Sequence, residues 1–263
     1  MLSLDAPLIA VLWQGLFAQV FSVPLAWYHV LLLAAPVWLV YSADRLFDGW
    51  QRRAHDAQTR RHRFYIVHRK EVARVWLAVL VTSLLTALLT SRPAELLGGL
   101  LVLGATLGYL ARLHLFPNTK LTVPKEVQVA LLFGAGVALF LVPNLESPWR
   151  VLAPLALFTL LCALNCAFIS RWEAATDTQR HLSLLRYARL EARLSHVTLA
   201  LTCAAVLLTF AFPGAAPLYG AIAGSALALF ELERTRLGPA ALRVLGDAAL
   251  LTPAPLLVAF WLL

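Results

Sequence analysis

Long apolar runs follow one another along almost the whole chain, and they limit the possible fold more than any other feature. A helix needs about 20 mostly apolar residues to cross the hydrocarbon core of a membrane. By that criterion the chain contains about nine candidate spans, at 7–23, 25–47, 72–90, 96–113, 127–142, 151–170, 194–212, 217–230 and 241–262. Only 14% of the 263 residues are charged, against about 25% in soluble domains. The sequence therefore predicts an all-α polytopic membrane protein, with one integral membrane domain over residues 1–263.

The connections between the spans alternate in charge. Those after the second, fourth, sixth and eighth runs are rich in Lys and Arg, whereas the intervening ones are short and carry only Arg92 and Arg150 as cations. Basic loops lie on the cytoplasmic side of membranes, so we expect a cytoplasmic N-terminus and attribute the net charge of +8 to topology, without nucleic acid as a partner. The first run has no basic flank and is expected to be a retained span. Abundant Arg, Leu and Ala favour a bacterial inner-membrane protein.

Two carboxylates stand where the second run ends. Asp44 and Asp48 are four residues apart and therefore share one face of a helix, with Tyr41 about one turn before. Acids near the end of a span usually face a polar cavity or a partner. A nearby cation such as Arg45 or Arg52 could pair with them, and so could Mg²⁺, which takes oxygen ligands. The alternative is a helix-end salt-bridge cluster without a ligand.

The end of the sixth run repeats this pattern. Glu173 and Asp177 are again four residues apart, Arg171 precedes them, and Asn165 lies deeper in the apolar run. A lone amide inside a span needs a hydrogen-bonding partner. Both acidic pairs fall on the same predicted side of the membrane, which favours one shared site.

A third polar segment joins the fourth and fifth runs. It reads FPNTKLTVPKE, and Pro117 and Pro124 exclude a continuous helix. Lys120 and Lys125 thereby lie on a short loop at the same predicted face. Lysine binds phosphate as a point charge, although an ordinary pair of topology-setting lysines is the alternative.

In this order, the three segments resemble the UbiA superfamily of intramembrane prenyltransferases. That family has nine transmembrane helices, an N-D-x-x-D-x-x-x-D motif at the end of helix two, a second acidic motif after helix six and a lysine loop after helix four. Asp44 and Asp48 match the last two aspartates of the first motif, but Val40 and Tyr41 replace its leading Asn-Asp. Residues 116–120 match the lysine loop, and the second motif is matched loosely at 165–177.

The resemblance implies a UbiA-like bundle with a central cavity open to the cytoplasmic side. It implies Mg²⁺ held by carboxylates, a prenyl diphosphate as one substrate and a hydrophobic acceptor from the lipid bilayer as the other. The implied catalytic residues are Asp44, Asp48, Glu173, Asp177 and Lys120, of which the four acids are also the metal ligands. The implied substrate-binding residues are Tyr41, Arg45, Arg52, Lys125, Asn165 and Arg171.

Other functions compete with this one. The fold could serve a membrane terpene cyclase, or a non-catalytic protein that binds an isoprenoid or an anionic lipid. Because the leading Asn-Asp is missing, fewer metal ions, another substrate or lost catalysis are open alternatives. Asp247 in the last run is either a structural strut or a further cavity-lining acid. A transporter ranks last because the predicted midplane is nearly all apolar. The oligomeric state stays open.

Overall fold

The described part of the chain consists of helices joined by turns and short connections. The computed structural model describes residues 4–51, 67–115, 123–173 and 188–262, and for a few residues, among them Asp44, Arg45 and Asp48, it describes the backbone alone. The α-helices are α1 (Asp5–Val20), α2 (Trp27–Gln51), α3 (Arg69–Thr90), α4 (Pro93–Leu115), α5 (Lys125–Ala138), α6 (Trp149–Trp172), α7 (Ala188–Ala211), α8 (Ala216–Glu233), α9 (Pro239–Ala249) and α10 (Pro253–Leu262). Short 3₁₀ turns at Val142–Asn144 and Pro213–Ala215 precede α6 and α8.

The described residues contain seven helical segments that are long and apolar enough to cross a membrane. They correspond to α3, α4, α5 with its 3₁₀ turn, α6, α7, α8 with its 3₁₀ turn, and α9 together with α10. Helix α1 has 16 residues, and the apolar part of α2 is Trp27–Ala43, so both fall short of that length. The predicted all-α class and the integral membrane character are therefore confirmed for the described residues, whereas the count of nine spans stays a prediction.

Helix α6 lies at the centre of the bundle, where it packs against α5, α7, α8 and α9. Its Phe158 ring is fully buried and lies 4.5 Å from the Trp13 ring and 5.9 Å from the Phe17 ring of α1. Helices α5 and α6 approach closely at Gly134, since a Cβ there would collide with the Thr159 hydroxyl. Close packing of this kind holds helices together in lipid, because lipid tails are as apolar as the helix surfaces.

The last span is broken near its middle. Residues 250–252 form a turn between α9 and α10, and Pro253 begins the second half. The indole N–H of Trp13 donates to the Leu250 carbonyl (2.9 Å). The Thr252 hydroxyl donates to the Ala221 carbonyl (3.0 Å), so the Ser225 hydroxyl is the donor in its 2.7 Å bond to Thr252. Side chains of α1 and α8 thus satisfy backbone and polar groups that lipid could not satisfy.

A buried hydrogen-bond network ties helices together at one end of the bundle, called here the far end. His29 Nε2 of α2 donates to Glu95 Oε1 of α4 (3.2 Å), because His29 Nδ1 is already the acceptor for the Ala26 N–H. The His29 ring stacks on Phe140, just after α5, with centroids 4.6 Å apart. Glu95 Oε2 also accepts the Arg92 N–H (2.9 Å), which caps the start of α4.

Candidate functional site

The opposite end of the bundle, called here the basic end, gathers polar groups from several helices. Tyr41 in the second half of α2 lies within electrostatic range of Cys166 on α6, Asp247 on α9 and Asp5 at the start of α1. Cys166 in turn lies within range of Asp247 and of Glu126 in the first turn of α5. These neighbours bring Tyr41 of α2 near residues of α5, α6 and α9. The convergence of the two acidic pairs stays a prediction, because the side chains of Asp44 and Asp48 and the whole of Asp177 lie outside the described part.

Asn165 is buried between α6 and α9. A Cβ added to Gly246 of α9 would lie 3.4 Å from Asn165 Oδ1 and 2.9 Å from the Trp172 ring. Glycine therefore lets α9 approach the amide and the indole together. No hydrogen bond reaches Asn165 Oδ1 from any residue that the structure describes.

Two ion pairs close the end of α6. Glu173 Oε1 accepts a hydrogen bond from Arg243 Nη1 of α9 at 2.7 Å. Arg171 Nη1 lies 3.1 Å from Glu233 Oε1 at the end of α8, and the Trp172 indole N–H donates to Glu233 Oε2 at 2.9 Å. The end of α6 is thereby fixed against both α8 and α9.

A buried acid that the sequence did not single out lies in the first turn of α5. Glu126 is almost completely buried, and its Oε1 accepts a hydrogen bond from the Ser170 hydroxyl of α6 at 3.0 Å. Lys125 precedes it and lies within electrostatic range of Cys166. An acid in the first turn of a helix is stabilised by the helix dipole, and its position two residues after Pro124 was the available sequence signal.

The predicted site residues fall into three groups. The basic end of the described bundle contains Tyr41 on α2, Lys125 on α5, Asn165 and Arg171 on α6, and Glu173 directly after α6. Asp44, Arg45 and Asp48 belong to the same half of α2 as Tyr41, and their side chains lie outside the described part. Lys120, Arg52 and Asp177 lie outside the described residues.

The described residues supply oxygen atoms as possible ligands, and oxygen is the ligand type that Mg²⁺ prefers. They do not by themselves form a metal site, because no group of three His, Cys, Asp or Glu side chains among them could hold an ion. Glu173 is the predicted ligand whose side chain is described, and it pairs with Arg243. The predicted magnesium site therefore depends on Asp44, Asp48 and Asp177.

Sequence reasoning missed the partners of the residues that it selected. Arg243 and Glu233, which bind the two charges at the end of α6, follow them by 60 residues or more and share no motif with them. The four-residue spacing of Arg243 and Asp247 was the only local signal, because it puts both on one face of α9.

A search against protein-family models, curated proteins and solved structures finds no match for this chain.

Proposed function

We propose that the protein transfers a prenyl group from a prenyl diphosphate to a hydrophobic acceptor, in a Mg²⁺-dependent reaction at the basic end of a UbiA-like bundle. One observation carries the proposal. Tyr41, about one turn before Asp44, lies within electrostatic range of Cys166 on α6 and Asp247 on α9, which supports a polar region shared by the ends of α2 and α6. Carboxylates on separate outer surfaces would not support a common site.

The proposed reaction breaks the bond between the prenyl C1 and the diphosphate oxygen, and the electron pair leaves with the diphosphate. An electron pair of the acceptor forms the new bond to C1, and the acceptor loses its proton to a carboxylate or to water. Asp44, Asp48, Glu173 and Asp177 would hold Mg²⁺, which neutralises the diphosphate when bound. Lysine and arginine side chains of the basic end would stabilise the remaining negative charge.

The Glu173–Arg243 pair involves α9 in the proposed reaction. Arg243 holds the Glu173 carboxylate at 2.7 Å in the described structure, so a diphosphate that attracts Arg243 would release Glu173 toward a metal. The same pair keeps the acid from being left as an uncompensated charge when no substrate is bound.

The test is diphosphate release by purified protein in detergent, with radiolabelled geranylgeranyl diphosphate and either Mg²⁺ or EDTA. We expect release that requires Mg²⁺ and falls at least about 100-fold in Asp44→Ala and in Glu173→Ala, as for loss of a group that stabilises the transition state. The matched control is Glu231→Ala, which removes another glutamate from an exposed ion pair with Arg234 near the same end. It should retain the rate of the unmodified protein.

The outcomes separate the proposal from its alternatives. Mg²⁺-dependent release that both substitutions leave unchanged refutes the site. Release with a cyclised hydrocarbon product and no need for an acceptor identifies a terpene cyclase. Mg²⁺-dependent binding without release identifies a lipid-binding protein, an alternative that the Glu173–Arg243 pair favours because it occupies a proposed metal ligand.

A further inference from the structure

A buried oxygen that has no partner within the described part of the chain lies beside the proposed site. Asn165 is 5% exposed, and its Oδ1 accepts no hydrogen bond from the described residues. A buried carbonyl left without a donor loses the hydrogen bonds that water gave it. Most buried side-chain polar atoms in folded proteins do have a partner, so this atom is suited to receive one from a ligand.

The position of this oxygen is set by close packing against glycine and against a fixed indole. A side chain at Gly246 would reach Asn165 Oδ1 at 3.4 Å and collide with Trp172. The indole cannot easily turn away, because Glu233 accepts its N–H and Phe168 stacks on its ring with centroids 5.5 Å apart. The amide oxygen is therefore presented at a defined position against α9.

We propose that Asn165 Oδ1 accepts a hydrogen bond from the hydroxyl group of the prenyl acceptor, which would make the acceptor a neutral amphiphile with an O–H donor. The inference rests on the proposed function, since it assigns the second substrate of the same site. A carbonyl oxygen attracts a donor and repels the oxygens of a carboxylate or phosphate. At the position of Oδ1, a hydroxyl donor is therefore favoured over an anionic group, whereas the Asn165 amide nitrogen is itself a donor.

The position along α6 agrees with this role. Asn165 lies two turns deeper than Glu173, between Cys162 and Cys166 in the chain, and Cys166 shares its electrostatic surroundings with Tyr41 and Asp247. A diphosphate at the basic end would extend its prenyl chain inward past this level. A hydroxyl held by Asn165 would therefore lie on the hydrocarbon side of the leaving group, where the new bond must form.

The probe is a pair of ligands that differ in one donor, geranylgeraniol and its methyl ether, whose equilibrium binding is measured in detergent. A hydrogen bond of about 1.4 kcal/mol corresponds to a tenfold difference in affinity. We expect the protein to bind the alcohol about tenfold more tightly than the ether, and Asn165→Leu to bind the two equally. Leucine has a similar volume and leaves no polar atom unsatisfied, so the variant should fold.

Gln14 provides the matched control. It is also a buried amide without a partner among the described residues, but it lies on α1 beside Trp13 in the apolar core. Gln14→Leu should retain the preference for the alcohol. No preference in the unmodified protein, or a preference that survives Asn165→Leu, overturns the inference, and the first of these outcomes needs no variant to fold.

Diphosphate release separates the proposed role of Asn165 from the proposed prenyl transfer. Mg²⁺-dependent release together with equal binding of the alcohol and the ether refutes the role of Asn165 and leaves prenyl transfer standing. An alcohol preference that requires Asn165, without any diphosphate release, refutes prenyl transfer and leaves hydroxyl recognition standing.

Discussion

Glu95→Ala should destabilise the protein much more than the loss of an exposed carboxylate such as Glu231. Glu95 is 2% exposed and His29 is 4% exposed. The carboxylate accepts the His29 Nε2–H at 3.2 Å and the Arg92 backbone N–H at 2.9 Å. Its removal leaves two donors without an acceptor at the far end, where α2, α4 and the residues after α5 meet.

The magnitude follows from these two bonds. Loss of a helix-capping bond costs about 1 kcal/mol. A buried donor such as the His29 Nε2–H, left without an acceptor, costs about 1–3 kcal/mol. The expected decrease in the free energy of unfolding is therefore about 2–4 kcal/mol, slightly below the about 3–5 kcal/mol for breaking a buried ion pair. The ring of His29 still stacks on Phe140, which limits the loss.

The assay is reversible unfolding in mixed micelles titrated with SDS, followed by circular dichroism. Glu231→Ala is the control, because its partner Arg234 lies 3.6 Å away and both side chains are more than half exposed. Exposed pairs of this kind contribute about 0.2–1 kcal/mol. A double-mutant cycle with His29→Ala should give a coupling energy of at least about 1 kcal/mol.

A small effect of Glu95→Ala on the free energy of unfolding would refute this prediction. If Glu95→Ala changes the unfolding free energy no more than Glu231→Ala, the buried network does not hold the far end together. A large effect without coupling to His29 would assign the stabilisation to the Arg92 cap alone.

Three further predictions test contacts near the candidate site. Gly246→Ala should destabilise by about 1–3 kcal/mol through overpacking against Trp172, whereas Gly99→Ala, which meets nothing within 4 Å, should be neutral or stabilising in the same unfolding titration. Trp13→Phe should lower the unfolding free energy by about 1–3 kcal/mol, because the Leu250 carbonyl loses its donor inside the membrane. Arg243→Met should raise the concentration of substrate needed for half-maximal diphosphate release, because the diphosphate loses the guanidinium that it would attract away from Glu173, and an unchanged dependence would contradict that role.

The helical class could be predicted because it depends on composition and spacing. In lipid, backbone groups must be satisfied within the chain, so runs of about 20 apolar residues become helices almost irrespective of their neighbours. The alternation of basic and short connections then indicated which helix ends share a side. This pattern predicts that Asp247 and Tyr41 lie on the same side of the membrane. It does not predict that the two residues lie close to each other.

The partners of the site residues could not be predicted, because contacts across 60 or more residues depend on helix rotation and crossing. The sequence showed that Asn165 needs a hydrogen-bonding partner, and only the structure showed that its oxygen lies against Gly246 with none among the described residues. Likewise, Glu126 looked like part of a loop until its hydrogen bond with Ser170 placed it in the bundle.

By itself, the sequence determined that this chain is helical, that it belongs in a membrane and that its charges gather at the connections, because these properties follow from local hydropathy and backbone chemistry. The tertiary structure alone decided which polar groups meet. It paired Glu173 with Arg243, tied His29 to Glu95 and left Asn165 Oδ1 without a partner among the residues that the structure describes. The physical reason is that a side chain in lipid takes whichever partner the packing of the helices brings within hydrogen-bond distance, and that packing depends on every interface in the bundle at once.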